Sequence, residues 1–359
     1  MKNIDAFFLT LSLLCCSFAV SCRQGDKDGY VFPKFEKEFA QEFEPVGPEL
    51  DFNSAYSIHP YGDYLILVAF DARTSTFLHV WDKKTGEIIQ SAVREGRGPG
   101  ELITRPVVSL VGSECYLYDA NAKVTQIYDL DRILQGENGY VGTLLEPVDL
   151  FVLGVYHGSE DRAVFFSNES FRQVDSSRVS PRIVLEKGTE RYEYDEFPIP
   201  DRVRTWWMYN TAYLTISPDF TKMAVVPAFG AILERFDLSE GISLKGADRF
   251  IEPDFTLNGT SPDFSNHAIP FGFSGFASSS DRIFAGMVAE AVSGQGTRNL
   301  EFPFSPMLAV FGWDGRPLMR IRTSVQIDNL AYDETEGVLY AVYRDEDRIS
   351  HIGKMKIQL

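Results

Sequence analysis

The sequence repeats one local pattern along most of its length: a short apolar stretch, a polar turn and a second apolar stretch, often followed by a third. In the clearest copy, strand candidates at 64–70 and 77–81 lead into a turn at 82–86 and a further strand at 87–90. Such runs, rich in β-branched and aromatic residues and bounded by turn residues, are typical of antiparallel β-meanders. Further copies occupy residues 115–129, 163–185, 217–237, 281–316 and 338–353.

Six copies of a meander predict an all-β fold, a six-bladed β-propeller of four-stranded antiparallel blades. The units average roughly 56 residues, close to the ~40–50 of known propeller repeats with some long loops added. One meander buries little apolar surface, whereas radial repetition covers both faces of every sheet and leaves only short edges. We therefore predict a single propeller domain over residues 41–359. A pair of β-sandwiches, with similar strand spacing, is the alternative.

The first residues carry a targeting signal, because an apolar run over residues 6–20 ends in small residues just before Cys22. This run of about 15 residues is shorter than the ~20 that a membrane-spanning helix needs. The pattern resembles a bacterial lipoprotein signal, with an ordinary secretory signal as the alternative. We interpret residues 1–21 as a signal peptide, Cys22 as the lipidated residue and residues 22–40 as a polar tether. A lipid anchor predicts a location in the cell envelope, at the outer membrane, facing either the periplasm or the cell surface.

A glycine-rich turn follows the first unit and consists of Gly96, Arg97, Gly98, Pro99, Gly100 and Glu101. Successive backbone N–H groups in such a turn could form an anion-binding nest next to arginine side chains. Alternatively, the glycines supply positive φ angles for a sharp crossover between blades, and the proline removes one donor. We favour the structural interpretation of this motif.

This hexapeptide resembles the GRGPGE turn of six-bladed propeller lipoproteins, which are TolB-like proteins related to the NHL-repeat group. Residues 217–224, Ser-Pro-Asp-Phe-Thr-Lys-Met-Ala, resemble the SPDGKxA segment of TolB-type blades, with Phe220 where glycine is usual. The resemblance implies a propeller fold and a location in the envelope. It implies no particular activity, because most members of that family have none assigned.

Charge and cysteine content narrow the classes of function. The formal net charge of −17 argues against a nucleic-acid-binding surface, which needs clustered Lys and Arg. Beyond the signal peptide and Cys22, the body of the chain holds only Cys115, in a strand pattern that indicates a small core residue rather than a nucleophile. Within the propeller we therefore expect no disulfide.

The sequence contains no catalytic motif that can be recognised from the spacing of its residues. The five histidines never stand in an HxH or HExxH spacing, so no zinc site is predicted. We expect no cofactor and lean toward a protein that is not an enzyme. The alternative is a calcium-assisted propeller hydrolase or lyase, for which Asp328 and Asn329 are the best candidate ligands.

Two long insertions, at 191–210 and 252–276, are the predicted functional surface, since long loops in compact repeats are usually used. Aromatic side chains in the first insertion suit stacking on a glycan or recognition of a protein. The alternative is that they only cover the edges of blades. We expect a monomer whose partner is an envelope protein or glycan, bound by Tyr192, Tyr194, Trp206, Trp207 and Tyr209.

Overall fold

Six sheets follow one another along the chain, each built on an antiparallel meander of strands that succeed one another in the sequence. They are the blades of a six-bladed β-propeller, as the repeat pattern predicts. The computed structural model describes residues 34–50, 55–146, 152–167, 173–175, 178–179, 181–196, 212–227, 231–251, 256–258, 261–263, 268–270, 272–287, 291–293 and 307–357.

The first three blades have strands at nearly every position that the repeat pattern predicts, and two short strands that it does not predict precede them. Two short strands come first, β1 (Lys37–Ala40) and β2 (Glu44–Pro45). Blade 1 contains β3 (Ala55–Tyr61), β4 (Tyr64–Asp71), β5 (Thr76–Asp82) and β6 (Ile88–Arg94). Blade 2 contains β7 (Val107–Val111), β8 (Glu114–Asp119), β9 (Val124–Asp129), the one-turn helix α1 (Leu130–Leu134) and β10 (Tyr140–Leu145). Blade 3 contains β11 (Gly154–Gly158), β12 (Arg162–Phe166), the pair β13 (Gln173–Asp175) and β14 (Arg178–Val179), β15 (Ile183–Lys187) and β16 (Glu190–Tyr194).

The last three blades continue the same order. Blade 4 contains β17 (Ala212–Ile216), β18 (Lys222–Pro227), β19 (Ala231–Asp237) and β20 (Ser243–Ile251). Three short strands precede blade 5, namely β21 (Thr256–Asn258), β22 (Ser261–Asp263) and β23 (Ala268–Pro270). Blade 5 contains β24 (Phe273–Ser278), β25 (Arg282–Met287), β26 (Ala291–Ser293), β27 (Met307–Gly312) and β28 (Pro317–Arg322). Strand β26 pairs with β23. Blade 6 contains β29 (Gln326–Asp333), β30 (Val338–Arg344) and β31 (Ser350–Lys356).

The N-terminal segment closes the ring of blades. Strand β2 pairs antiparallel with β31 and supplies the fourth strand of blade 6, while β1 adds a parallel fifth strand to blade 5 along β28. Phe43, between them, stacks on Tyr343 with ring centroids 6.0 Å apart. Paired strands thus begin at Lys37, inside the segment that the sequence assigned to the tether.

The apolar core lies in the seams between neighbouring blades, since both faces of each sheet are covered. At the seam of blades 4 and 5, Phe250 stacks on Phe311 at 5.3 Å. At the next seam, Phe284 stacks on Tyr332 at 4.7 Å. The first strands of blades 4, 5, 6 and 1 run side by side and line the axis. The described part of the chain has no helix with the length and hydropathy of a membrane span.

The two faces of the ring differ in their connections. We define the upper face as the one at which the second strand of each blade ends and the third begins. The links between successive blades also start and end at this face. The lower face is formed by short turns, such as 62–63, 112–113 and 188–189. The longest connections all join strand ends at the upper face, and they are 167–182, 195–211, 252–272 and 288–306.

Candidate functional site

The glycine turn after blade 1 holds a carboxylate of its own chain. The backbone N–H of Gly98 donates to Oε2 of Glu101 at 2.7 Å, and a side chain on Gly96 would overlap the same carboxylate. The N–H of Gly96 donates to the carbonyl of Leu102 at 2.9 Å. The acceptor that an anion-binding nest would take from solution is therefore supplied internally.

The second half of this turn is fixed by close packing. Gly100 has a φ of +76°, a left-handed conformation that favours glycine. A Cβ at this position would overlap the hydroxyl of Tyr128 and the ring of Tyr140, and the Tyr128 hydroxyl donates to the Gly100 carbonyl. These contacts support the role of a blade connector for the turn.

The tyrosines proposed for binding lie on a strand and not in a loop, which corrects the predicted insertion at 191–210. Tyr192 and Tyr194 belong to β16, the outer strand of blade 3. Tyr194 contacts Phe236 of blade 4 edge-on at 5.1 Å, and the Tyr192 hydroxyl donates to Glu190 at 2.8 Å. Both rings pack against the cluster between blades 3 and 4. Trp206, Trp207 and Tyr209, like Cys22, lie outside the described residues.

The candidate calcium ligand Asp328 already has a cationic partner. Arg344 donates to both of its oxygens, from Nε at 2.7 Å and from Nη2 at 2.8 Å, and the amide of Gln326 adds a bond at 3.1 Å. Calcium at Asp328 would have to displace this bidentate guanidinium. Within the described ranges, no three His, Cys, Asp or Glu side chains are grouped as metal ligands would be.

His79, the half-buried His59 and the Cys115 thiol are structural groups within the blades. His79 is fully buried; its Nδ1 lies 2.8 Å from the Ser91 hydroxyl and its Nε2 lies 3.1 Å from the Ala69 carbonyl, and burial lowers its pKa. Burial also lowers the pKa of His59 to about 4, and in the described part of the chain its Nε2 has no hydrogen-bond partner. Cys115 is buried, and burial raises the pKa of its thiol, which opposes the thiolate that a nucleophile needs.

A cleft on the lower face was not predicted from the sequence. It has a volume of about 560 Å³ and lies at the seam of blades 4 and 5, beside the start of β1. Its apolar wall is the half-buried indole of Trp313, whose Nε1 donates to the Ser279 carbonyl at 3.0 Å. Arg235 of blade 4 donates to the Trp313 carbonyl at 2.9 Å and so fixes the turn that carries the indole.

Four cationic side chains line this cleft, although the formal net charge of the chain is −17. Lys222 donates to the Ser280 carbonyl at 2.9 Å, and its ammonium lies 5.8 Å from the centroid of the indole. Arg282 lines the cleft, and its Nη1 is buried with no hydrogen-bond partner among the residues that the structure describes. Lys37 and Arg316 complete the cationic lining. We call these residues, with Trp313, the cationic cleft.

A smaller cavity of about 370 Å³ lies on the lower face among the turns of blades 1, 4 and 6. Its lining is acidic, but Lys83 neutralises part of it by bonding to Asp333 at 2.7 Å and to Glu336 at 3.0 Å. The same ammonium lies over the ring of Tyr340, 5.3 Å from its centroid. This cavity is therefore a structural junction between blades 1 and 6.

The chain belongs to the class of six-bladed β-propellers, with long connections on one face and a cationic cleft on the other. No protein-family model matches the sequence, and no curated protein is significantly similar to it. Solved propellers share its fold at low identity. The RRP9 WD40 repeats are 10% identical, with a TM-score of 0.50 over 88% of this chain and 100% of theirs.

Two bacterial structures show the same likeness. A candidate exported protein of Bacteroides fragilis is 11% identical, with a TM-score of 0.50 over 92% of this chain and 95% of its own. The calcium-binding protein regucalcin of Agrobacterium tumefaciens is 11% identical, with a TM-score of 0.48 over 90% of this chain and 97% of its own. At such identities the likeness is one of fold alone.

Proposed function

We propose that this chain is a lipid-anchored binding module of the cell envelope, which recognises a protein or glycan and performs no catalysis. The observation that carries the proposal is the asymmetry of the two faces. All of the longest connections join strand ends at the upper face, at blades 3, 4 and 5, whereas the lower face has short turns. Long connections on a rigid repeat scaffold are where binding surfaces are usually built.

The state of the reactive side chains supports binding over catalysis. Asp328 is paired with Arg344, His79 has partners at both ring nitrogens and the Cys115 thiol is buried with a raised pKa. A general base or nucleophile needs an accessible group with a pKa matched to its task. These three groups instead stabilise the blades in which they lie.

The envelope location is supported by the signal before Cys22, and by the fold that the chain shares with the candidate exported protein of Bacteroides fragilis. Metabolic labelling with a fatty-acid analogue tests the anchor. The full chain should incorporate label and fractionate with membranes, and Cys22→Ala should abolish the label. Labelling that survives Cys22→Ala would refute the lipid site.

The ligand class is tested with the unlipidated mature chain, residues 23–359, on a glycan array and by capture of envelope proteins. The Trp206→Ser/Trp207→Ser variant should lose the retained partner, since aromatic anchors dominate such interfaces. The matched control is Ile88→Ser/Ile89→Ser on β6 of blade 1, where the side chains are 39% and 46% exposed. Equal retention by both variants would place binding away from the 195–211 connection.

A further inference from the structure

We propose that the cationic cleft binds the phosphate of an anionic lipid headgroup and thereby rests the lower face of the propeller on its membrane. This inference relies on the lipid anchor of the proposed function. It adds an orientation: the upper face of the propeller lies away from the bilayer in which the acyl chains insert.

The path of the chain brings the cleft close to that bilayer. Glu36 and Lys37 line the cleft, and β1 runs parallel to β28 with Lys37 opposite Met319, so the chain enters from the lower face. About a dozen residues separate Cys22 from the first described residue, Lys34. Even fully extended, such a segment spans at most about 45 Å. With an anchor at Cys22, Lys34 and the nearby cleft therefore stay within about 45 Å of the membrane surface.

The donors in the cleft match a phosphate. Among the described residues, Arg282 contacts an acid only at 3.5 Å, between its Nε and Oδ2 of Asp281, and its Nη1 has no hydrogen-bond partner there. A buried guanidinium nitrogen that lacks an acceptor is unfavourable, and a bound anion that draws the side chain toward it relieves this cost. Lys222 has its bond to Ser280 and its position over Trp313, so its ammonium is fixed beside the same opening.

The acids at the cleft are already engaged in local structure. Asp314 accepts from the backbone N–H of Arg316 at 3.0 Å, and Asp281 accepts from the Ser279 hydroxyl at 2.8 Å. Glu36 forms a pair with Arg316 at 3.4 Å, in which both side chains are more than half exposed. Four cations against three acids leave the cleft positive by one charge, in a chain whose net charge is −17.

A weak site is sufficient for this role because the anchor supplies the proximity. A short flexible tether gives an effective concentration of about millimolar, so a headgroup affinity that is negligible in solution becomes significant at the membrane. Each lysine or arginine side chain close to an anionic membrane is attracted to it, and this attraction decays over about one Debye length. The contact should accordingly weaken as salt is raised.

The test uses the unlipidated mature chain, residues 23–359, with vesicles of phosphatidylethanolamine and phosphatidylglycerol, and with vesicles of phosphatidylcholine alone. The cleft variant is Lys222→Gln/Arg282→Gln. The control is Arg97→Gln/Lys123→Gln, which removes the same charge from exposed side chains at the upper face. Thermal unfolding verifies that each variant is folded, and Lys37→Gln/Arg316→Gln repeats the test with more exposed side chains.

The wild type and the control should sediment with the anionic vesicles, and the cleft variants should bind them roughly 30-fold more weakly. Equal binding by wild type and both cleft variants would overturn the inference. Stabilisation by inorganic phosphate without binding to vesicles would also overturn it, since the site would then serve a free anion. Acyl labelling reports the anchor separately, so a positive label with no cleft-dependent binding rejects only this inference.

Discussion

The Glu101 carboxylate accepts a hydrogen bond from the backbone N–H of Gly98 at 2.7 Å and lies where a side chain on Gly96 would be. Gly96 and Gly98 are therefore required by a carboxylate three to five positions later in the same turn. A motif that could have served a phosphate has become a self-contained connector between blades 1 and 2.

Removal of that carboxylate should destabilise the turn and leave its donors unoccupied. We expect Glu101→Ala to lower the free energy of unfolding by about 1–3 kcal/mol, because the N–H of Gly98 loses its acceptor. Urea denaturation measures this change. Added sulfate should raise the melting temperature of Glu101→Ala but not of the wild type. The control is Glu95→Ala, an exposed side chain in the same turn that should change stability by less than ~0.5 kcal/mol.

The buried ion pair between blades 3 and 4 should be sensitive to the loss of one partner. Arg182 and Glu234 have side chains 5% and 1% exposed, and Nη1 of Arg182 donates to Glu234 Oε1 at 2.9 Å. Arg182→Met should cost about 3–5 kcal/mol because it leaves a buried carboxylate uncompensated.

Two variants distinguish this mechanism from simple loss of packing. Arg182→Met/Glu234→Leu should recover much of the stability, since no charge remains buried. Arg162→Met breaks a pair with Glu160, which is 78% exposed, and should cost less than ~1 kcal/mol. If the double variant proves less stable than Arg182→Met in urea denaturation, the pair is not the cause.

His59 should make the propeller sensitive to mild acid. Its pKa is about 4 in the folded chain and 6.5 when exposed, so the unfolded state takes up the proton first. The contribution of neutral His59 to the free energy of unfolding is fully present above pH 6.5. This free energy should fall by about 3 kcal/mol as the pH drops toward 4. His59→Phe should flatten this part of the pH profile of melting temperature while changing it little between pH 7 and 8. An unchanged acid slope in that variant would contradict the assignment.

Closure of the ring should depend on one aromatic side chain of the N-terminal segment. Phe43 is 5% exposed and stacks on Tyr343, so Phe43→Ala should destabilise the fold by about 3–5 kcal/mol through lost burial and a cavity. Phe39→Ala, at a half-buried position on β1, should have a clearly smaller effect. Similar losses for the two variants in urea unfolding would show that blade 6 does not depend on Phe43.

The sequence predicted the blades well because each one has a local signature. Strands such as β4 and β5 combine apolar runs with turn residues at their ends, and every one of the six units lies where the repeats placed it. Strands β1 and β2 escaped prediction, because they are short and charged and pair with strands about 300 residues later in the chain.

The candidate sites were harder to predict, for physical reasons. Tyr192 and Tyr194 were read as loop residues, although their spacing of two residues is also that of one face of a strand. Phe220 has a φ of +58°, the conformation expected of the glycine it replaces, and its ring fills the space that Gly158 leaves open. The cationic cleft combines side chains from segments near residues 37, 222, 282 and 313, which no local pattern connects.

The pairing of β2 with β31 also bears on how the chain folds. Nearby, the amide of Gln41 donates to the carbonyl of Lys356 across 315 positions of sequence. A contact between residues so far apart in sequence costs a large loop-closure entropy, so the ring should close last and slowly. Until then the outer edge of blade 6 is an unpaired β-strand, able to pair with another chain. The risk of aggregation during folding therefore depends on how soon the two-residue strand β2 pairs with β31.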